Sequence, residues 1–484
     1  MWNFIGDHLG KLLIGLNYLL ALGAAVAIVM RNTNPNRTLS YVLALLLIPF
    51  VGLLFYVLFG QEYRRTRMFR RKNVLNQVNI KKWRQSLDVY QNEVNSLEKK
   101  PLKLKSKLIR LMQATKQSPL TLHNKVEVLI NGEEKFSRLF DDIKKSNSSI
   151  HLEYYIFRDD KIGSELIKLL CDKAEEGVEV RINYDYVASS ISNKAKDKLR
   201  KAGVEFYPFL PVYFPRFASK LNYRNHRKIA VIDGRIGYVG GINVGDEYVN
   251  TEGQRYWRDT HLRIEGESVG VIQLQFMLNW DFVSEEDIRI KDEWFPEVNE
   301  RTEIPMQMAM SGPDTQWAYI KEAMFVAINS ASEYLYLTTP YFIPNDEILT
   351  ALLAASRSGV KVKLLIPGIS DSRVAKFASY SYIERMLEAG IEVYLYQKGI
   401  LHAKTMVIDG CFSTVGTSNI DYRSFDINFE INALMYHEGI AGDLAAQFHE
   451  DLKDSTRIEP EVWKVRPMKQ KLKESFCRLW APLL

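Results

Sequence analysis

The sequence predicts an α/β protein built from two matching halves that share one cleft, preceded by a transmembrane helical hairpin. Three observations carry this. From Val126 onward, short β-branched and aromatic runs alternate with amphipathic helical segments, the pattern of βαβ units. The pattern and its motifs return after roughly 180 residues, a period too long for a solenoid and suited to a duplicated domain. Two apolar stretches, 12–30 and 39–59, open the chain, each close to the ~20 residues that cross a bilayer as a helix.

At 484 residues the chain has room for two or three domains, and its net charge of +6 is modest. Three widely spaced cysteines (Cys171, Cys411, Cys477) argue against a disulfide framework and fit a reducing compartment. Residues 1–63 are expected to form the two membrane helices. The run Arg31-Asn32-Thr33-Asn34-Pro35-Asn36-Arg37 is only long enough to reverse the chain. Arg64, Arg65, Arg67, Arg70, Arg71 and Lys72 follow at once, which places the rest of the chain in the cytoplasm and makes the protein a multi-pass cell-membrane protein. The same cluster can contact anionic lipid headgroups. Residues 64–117 read as a basic helical linker without chemistry, its apolar positions Leu104, Leu108, Leu111 and Met112 at helical spacing.

The halves are expected at 118–310 and 311–484, the second carrying a C-terminal tail. In the first, a strand at 150–157 leads to a helix at 163–176 stopped by Gly177, then a strand at 178–182. In the second, a strand at 334–339 leads to a helix at 347–358 stopped by Gly359, then a strand at 360–366. Such joints indicate right-handed crossovers and largely parallel sheets.

Within this frame the chain carries His-x-Lys-x4-Asp twice: His226, Lys228 and Asp233, then His402, Lys404 and Asp409. Each copy is followed at the same offset by an asparagine, Asn243 in Gly240-Gly241-Ile242-Asn243 and Asn419 in Gly416-Thr417-Ser418-Asn419. On a strand side chains alternate, so each histidine shares a face with its lysine at one end of a buried apolar run. Two imidazoles in one cleft suit phosphodiester exchange. One, neutral, attacks phosphorus; the other protonates the leaving alkoxide and then takes a proton from the incoming alcohol. Lys228, Lys404, Asn243 and Asn419 supply charge and donors to the phosphoryl oxygens, with Ser418 a secondary phosphate-side candidate. A lysine beside each histidine repels a cation, so neither a metal nor another cofactor is expected. Asp233 and Asp409 are expected to orient the active-site backbone.

The paired motifs resemble the HKD motifs of the phospholipase D superfamily. The flanking Tyr223-Arg224-Asn225, Val244-Gly245-Asp246-Glu247-Tyr248 and Thr339-Pro340-Tyr341-Phe342-Ile343-Pro344 are similar to bacterial cardiolipin synthases. The resemblance runs along nearly the whole chain. It implies phospholipase D-type halves, with His226, Lys228, Asp233, His402, Lys404 and Asp409 as the catalytic set, His226 as nucleophile and His402 as acid and base. It also implies that Glu430 stands where the family holds an imidazole, with Asp259 as its first-half counterpart. The activity implied is metal-free transfer from one phosphatidylglycerol to another through a phosphohistidine, giving cardiolipin and glycerol. Phosphatidylglycerol and anionic membrane lipids are the expected partners, and nucleic acid is not. A hydrolase releasing phosphatidic acid, or a membrane scaffold with a decayed site, remains the alternative. Tyr155 and Tyr341 are candidates to line the cleft. Arg224, Arg227 and Arg423 could serve either headgroup phosphate or structural ion pairs. The basic and apolar tail, from Lys464 to Leu484, could serve either interfacial contact or docking on the core.

Overall fold

A computed structural model describes residues 2–30, 35–48, 50–52, 101–102, 105–115, 118–211, 222–251, 253–285 and 288–481. The chain divides into two compact units, one holding the N-terminal helices and the other both α/β halves. In the first unit, α1 (Trp2–Met30) contains the apolar stretch Lys11–Met30, mean hydropathy 2.3, long enough to cross a bilayer. α2 (Pro35–Leu47) packs back on it, Leu45 against Ala21, Ala25 and Ile28. The two alanines, one turn apart, let the helices approach closely. The second apolar stretch beyond residue 52 and the basic cluster at 64–72 lie outside the described residues.

The end of the expected linker is not a spacer. In α3 (Ser106–Ala114), Leu108, Ile109 and Met112 are buried in the core of the second half. The buried Lys105 just before it donates to Ser330 O and Oγ, 3.0 Å each, and lies 3.5 Å from Asp409 Oδ2.

The first half begins with β1 (Asn124–Ile130), α4 (Asn131–Lys144) and β2 (Ser149–Tyr154). Two crossovers follow: α5 (Lys161–Glu175) into β3 (Glu179–Asp185), and α6 (Asn193–Lys201) into β4 (Glu205–Phe209). The carboxylate of Asp160 and the hydroxyl of Ser192 cap these helices by accepting from Gly163 and Ala195 N–H. The motif hairpin β5 (Lys228–Ile232) and β6 (Ile236–Gly240) comes next, then β7 (Trp257–Arg258), β8 (Thr260–Gly266) and α7 (Glu267–Ser284).

The second half repeats the plan. It opens on β9 (Met306–Ser311), α8 (Tyr319–Asn329) and β10 (Tyr334–Thr338). The strand β9 spans the expected boundary at 310/311 and belongs wholly to the second sheet. α9 (Asp346–Arg357), β11 (Lys361–Ile369), α10 (Arg373–Tyr380), α11 (Ile383–Glu388) and β12 (Glu392–Leu401) follow. Then come the second motif hairpin β13 (Thr405–Ile408) and β14 (Phe412–Gly416), α12 (Tyr422–Asp426), β15 (Glu430–Met435) and α13 (Glu438–Lys453). A short β16 (Ser455–Arg457) adds an edge.

Strand order is β1-β8-β6-β5-β2-β3-β4 in one sheet and β9-β15-β14-β13-β10-β11-β12-β16 in the other, the same arrangement twice. The sheets are mixed, where the sequence suggested largely parallel ones. Within each half the parallel strands are β2-β3-β4 and β10-β11-β12, which helical crossovers join, and the short β7 adds a parallel pairing with β12 across the halves. The motif strands β5 and β13 pair antiparallel on both sides, each being one arm of a tight hairpin. A core joins the two sheets, with Ile229, Val231, Val239 and Leu262 of one meeting Val407, Val415, Ile431 and Met435 of the other. Each sheet's remaining face carries its own helices over a separate core.

Candidate active site

Each motif histidine sits just before its strand, where the two halves exchange backbone hydrogen bonds. His226 N–H donates to Phe429 O at 3.0 Å, and Asn225 bridges Phe429 in parallel. On the other side the end of β12 pairs with β7, Ile400 opposite Trp257 and Leu401 opposite Arg258, and His402 N–H donates to Arg258 O at 2.7 Å. The residue after Phe429 is Glu430, and the residue after Arg258 is Asp259. Cross-half pairing therefore delivers each carboxylate to the histidine of the opposite half. His226 Nδ1 lies 2.9 and 3.0 Å from the two oxygens of Glu430, and His402 Nδ1 lies 2.7 Å from Asp259 Oδ2. Both carboxylates were expected to hold an imidazole; which histidine each one meets is decided by the pairing across the halves.

Both carboxylates are fully buried and have their own supports. Glu430 accepts from the Thr417 hydroxyl and, at 3.4 Å, from Asn428. Asp259 accepts from Thr260 N–H at 2.7 Å. Gly241 is required here: a Cβ on it would stand 2.0 Å from Asp259 Oδ1. Burial pushes Glu430 up, but the charges of His226 and Lys228 and the imidazole hydrogen bond outweigh it, so its pKa ends below the ordinary value. Asp259 is likewise lowered, Lys404 and His402 overcoming the upward effect of burial.

An ionised carboxylate only accepts, so the hydrogen resides on Nδ1 of each imidazole, and the neutral ring keeps its lone pair on Nε2. Burial draws His226 down to about 4, Lys228 adding to the fall while Glu430 opposes it. His402 is lowered by burial and then by Lys404, against Asp259. At neutral pH the resting site thus holds two neutral imidazoles. The lysines sit beneath them. Lys228 Nζ donates to His226 O at 2.7 Å and stands 5.1 Å from the Tyr155 ring. Lys404 Nζ donates to His402 O and approaches Nδ1 at 2.9 Å. That nitrogen already carries a hydrogen, so the approach is a charge contact and not a hydrogen bond. Burial lowers Lys228 to about 7 and Lys404 to about 8.

Both histidines line one cavity of about 570 Å³. Asn243 and Asn419 line it too, each oriented from behind: Asn243 accepts from Ile156 N–H and donates to the Tyr248 hydroxyl, 3.1 Å each, and Asn419 donates to Asp421 at 2.9 Å. Tyr155 and Tyr341 are also in the wall, Tyr155 set edge-on to His226 with ring centres 4.8 Å apart. Arg224 and Arg423 join the wall, whereas Arg227 does not. Arg227 is buried, donating to Glu430 O and Ser311 O, and its role is structural.

Three sequence expectations are corrected. Ser418 does not line the cavity, because its hydroxyl donates to Asn419 O at 3.2 Å and its N–H to Asn432. Its neighbour Thr417 is the hydroxyl that donates to Glu430. Asp233 and Asp409 lie beyond the far ends of the motif strands, Asp233 about 16 Å of strand from Lys228. They occupy left-handed positions (φ 53° and 52°) followed by Gly234 and Gly410 (φ 63° and 62°), which puts each Asp-Gly at the turn of a three-residue hairpin connection, Ile232 pairing with Ile236 and Ile408 with Phe412. The Asp233 carboxylate accepts from Asn147, Ser148 and Ser149 N–H at 2.9 Å each, and that of Asp409 from Ser332, Glu333 and Tyr334. They clamp the turn to the start of the neighbouring strand, with no part at phosphorus.

Sequence reasoning missed Trp257, whose ring centre lies 5.2 Å from that of His402, and Asp371, which accepts from the Tyr341 hydroxyl at 2.7 and 2.8 Å in the cavity wall. Trp257 could have been suspected from its place two residues before Asp259; Asp371 gives no local signal.

A family described as cardiolipin synthase, PLD-like domain, matches twice, over residues 139–264 and 324–452. A phospholipase D-nuclease N-terminal family matches residues 19–61. A cardiolipin synthase of Geobacillus sp. (strain WCH70) is 40% identical over 482 residues, covering 98% of this chain and 95% of the relative. Cardiolipin synthase 2 of Bacillus anthracis is 38% identical over 465 residues, covering 94% and 88%. Among solved structures, phosphatidylserine synthase of Haemophilus influenzae Rd KW20 shares the fold at TM-score 0.61 and 13% identity, covering 78% of this chain and all of that one. End-to-end likeness of this extent, with both motifs meeting at one cavity, means that the chain belongs to the cardiolipin synthase family of proteins with paired phospholipase D-like domains.

Proposed function

We propose that the protein is a cardiolipin synthase that works by two-step phosphatidyl transfer in a membrane, its catalytic halves on the cytoplasmic side of a two-helix anchor. The observation that carries the chemistry is the pair of imidazoles in one cavity, each fixed at Nδ1 by a buried carboxylate. In the first step His226 Nε2 attacks the phosphorus of a phosphatidylglycerol. The N–P bond forms, the P–O bond to the headgroup glycerol breaks, and His402 delivers a proton to the departing alkoxide. The phosphodiester's own negative charge raises the imidazole pKa values, so His402 takes up that proton as substrate binds. In the second step the glycerol hydroxyl of another phosphatidylglycerol gives its proton to His402 and attacks phosphorus. The new P–O bond forms as the N–P bond breaks, and cardiolipin leaves. Asn243 and Asn419 face the charge that grows on the phosphoryl oxygens, and the Lys228 and Lys404 ammoniums, bonded to the histidine carbonyls just behind the imidazoles, add positive charge from beneath. Glu430 and Asp259 hold the tautomers and stabilise the imidazolium when it forms.

The test is product analysis by the full-length protein in phosphatidylglycerol vesicles. Cardiolipin and glycerol in equal amounts, lost in His226→Ala, is the expected outcome. Phosphatidic acid as the main product would mean that water completes the second step and the protein is a hydrolase.

A further inference from the structure

The chain ends in two helices, α14 (Pro460–Lys464) and α15 (Met468–Arg478). One face of α15 is fixed to the catalytic unit. Glu474, buried, accepts from Arg466 at 2.8 Å and from Gln470 at 2.9 Å, and Arg466 also bonds Glu384 at 2.9 Å. Lys473 lies 5.6 Å from the Phe377 ring and Arg478 4.9 Å from the Tyr382 ring. The opposite face carries Met468, Leu472, Phe476 and Leu479, a stripe between 63% and 76% exposed. Four large apolar side chains left in water by a well-anchored helix are the mark of an interaction surface.

The borders of the stripe identify what covers it. At about 100° per residue, Lys469 and Lys473 fall along one edge and Lys471 and Arg478 along the other. The one carboxylate of α15, Glu474, is turned inward. Lys473 and Arg478 lie over rings of the catalytic unit and Lys471 donates to Lys464 O at 2.8 Å, so these charges stay close to the protein. With Lys469 they nonetheless border the apolar stripe with positive charge and no outward carboxylate on α15, which fits the boundary between acyl chains and anionic headgroups. Trp480, half-exposed, follows the helix with a ring type that favours that boundary. A second copy of this chain would need a complementary acidic rim, which nothing on this face supplies.

Position supplies the second argument. α15 packs on α10, whose cap Ser372 and whose Ala375 line the catalytic cavity. Between them Val374 is 43% exposed. In the first half, Tyr186 and Val187 are also exposed, directly after Asp185, which pairs with Arg224 of the cavity wall. We propose that α15 and these rim residues form a docking surface for an anionic phospholipid bilayer. It seats the cavity mouth on the membrane, so that a headgroup enters while its acyl chains stay in lipid. The proposal rests on the phospholipid-transfer reading for its purpose, and its test does not.

The experiment places a nitroxide on the full-length protein in phosphatidylglycerol vesicles, at Leu472→Cys in a Cys477→Ser background, with Lys361→Cys as the control. Docking predicts that the label at 472 gains oxygen collisions and loses access to a water-soluble nickel chelate, severalfold each, while the control stays exposed. A Leu472→Glu, Phe476→Glu double variant should keep its thermal midpoint, lose about tenfold in turnover on vesicles, and remain within about twofold of the parent on monomeric short-chain phosphatidylglycerol. A water-exposed label at 472, or undiminished vesicle turnover, overturns the proposal. So does a label shielded equally without lipid in a dimer that the double variant dissociates, since the face would then bind a second copy. A lipid-shielded label in a protein that makes no cardiolipin supports the docking surface and removes the transfer reading.

Discussion

A carboxylate within 3 Å of an imidazole fixes which nitrogen is free to react, and here each carboxylate comes from the opposite half. Glu430→Gln should therefore perturb His226, and Asp259→Asn should perturb His402. Each should lower turnover by about 10² or more. In ¹⁵N spectra of the imidazoles, only the partner across the halves should change tautomer; a change in the histidine of the same half would contradict the exchanged pairing. The lysines set a pH dependence of their own. On the proposed mechanism their charged forms hold the phosphate, and burial brings Lys228 to about 7 and Lys404 to about 8. Binding charge is thus present below these values and lost as pH rises through them. Glycerophosphoglycerol, whose own charge is constant over this range, should bind at least about tenfold more weakly at pH 9 than at pH 6.5 by calorimetry.

At the scale of elements, the motif hairpins explain why the aspartate recurs in both motifs while lying far along the strand from the histidines. Asp233 and Asp409 combine a left-handed backbone with three N–H groups to accept. Asp233→Ala should cost about 3 kcal/mol of stability, seen as a lower denaturation midpoint, while the folded fraction keeps its turnover within about threefold. Asp233→Asn, which tolerates the left-handed region and retains an acceptor, should recover much of the loss. The βαβ units were legible in the sequence because β-branched runs, helical spacing and the stops at Gly177 and Gly359 all pointed the same way. The hairpins were not read as such, although Asp233-Gly234 and Asp409-Gly410 carry a strong hairpin-turn signal. The place of Ser418 beside Asn419 suggests a phosphate-side hydroxyl, but the chain alone does not tell which way it turns or that Thr417 meets the buried Glu430.

For the whole molecule, duplication foretold one shared cleft; the repeated strand order shows the duplication, and the cavity lined by both histidines shows the cleft. What sequence could not give is the register between the halves. The bridges Asn225–Phe429 and Ile400–Trp257 join residues with no local signal for each other, and they decide which carboxylate meets which histidine. Because both histidines belong to one cavity within one chain, mixing His226→Ala with His402→Ala protein should restore no activity. Recovery on mixing would mean that the working site is built between chains.

The most direct test of the two-histidine mechanism is to stop the reaction with phosphatidylglycerol labelled in phosphorus within one turnover and map the label on the protein. The account predicts an acid-labile phosphatidyl group on His226, absent in His226→Ala. Label on His402, or cardiolipin formed with no labelled histidine, would contradict it.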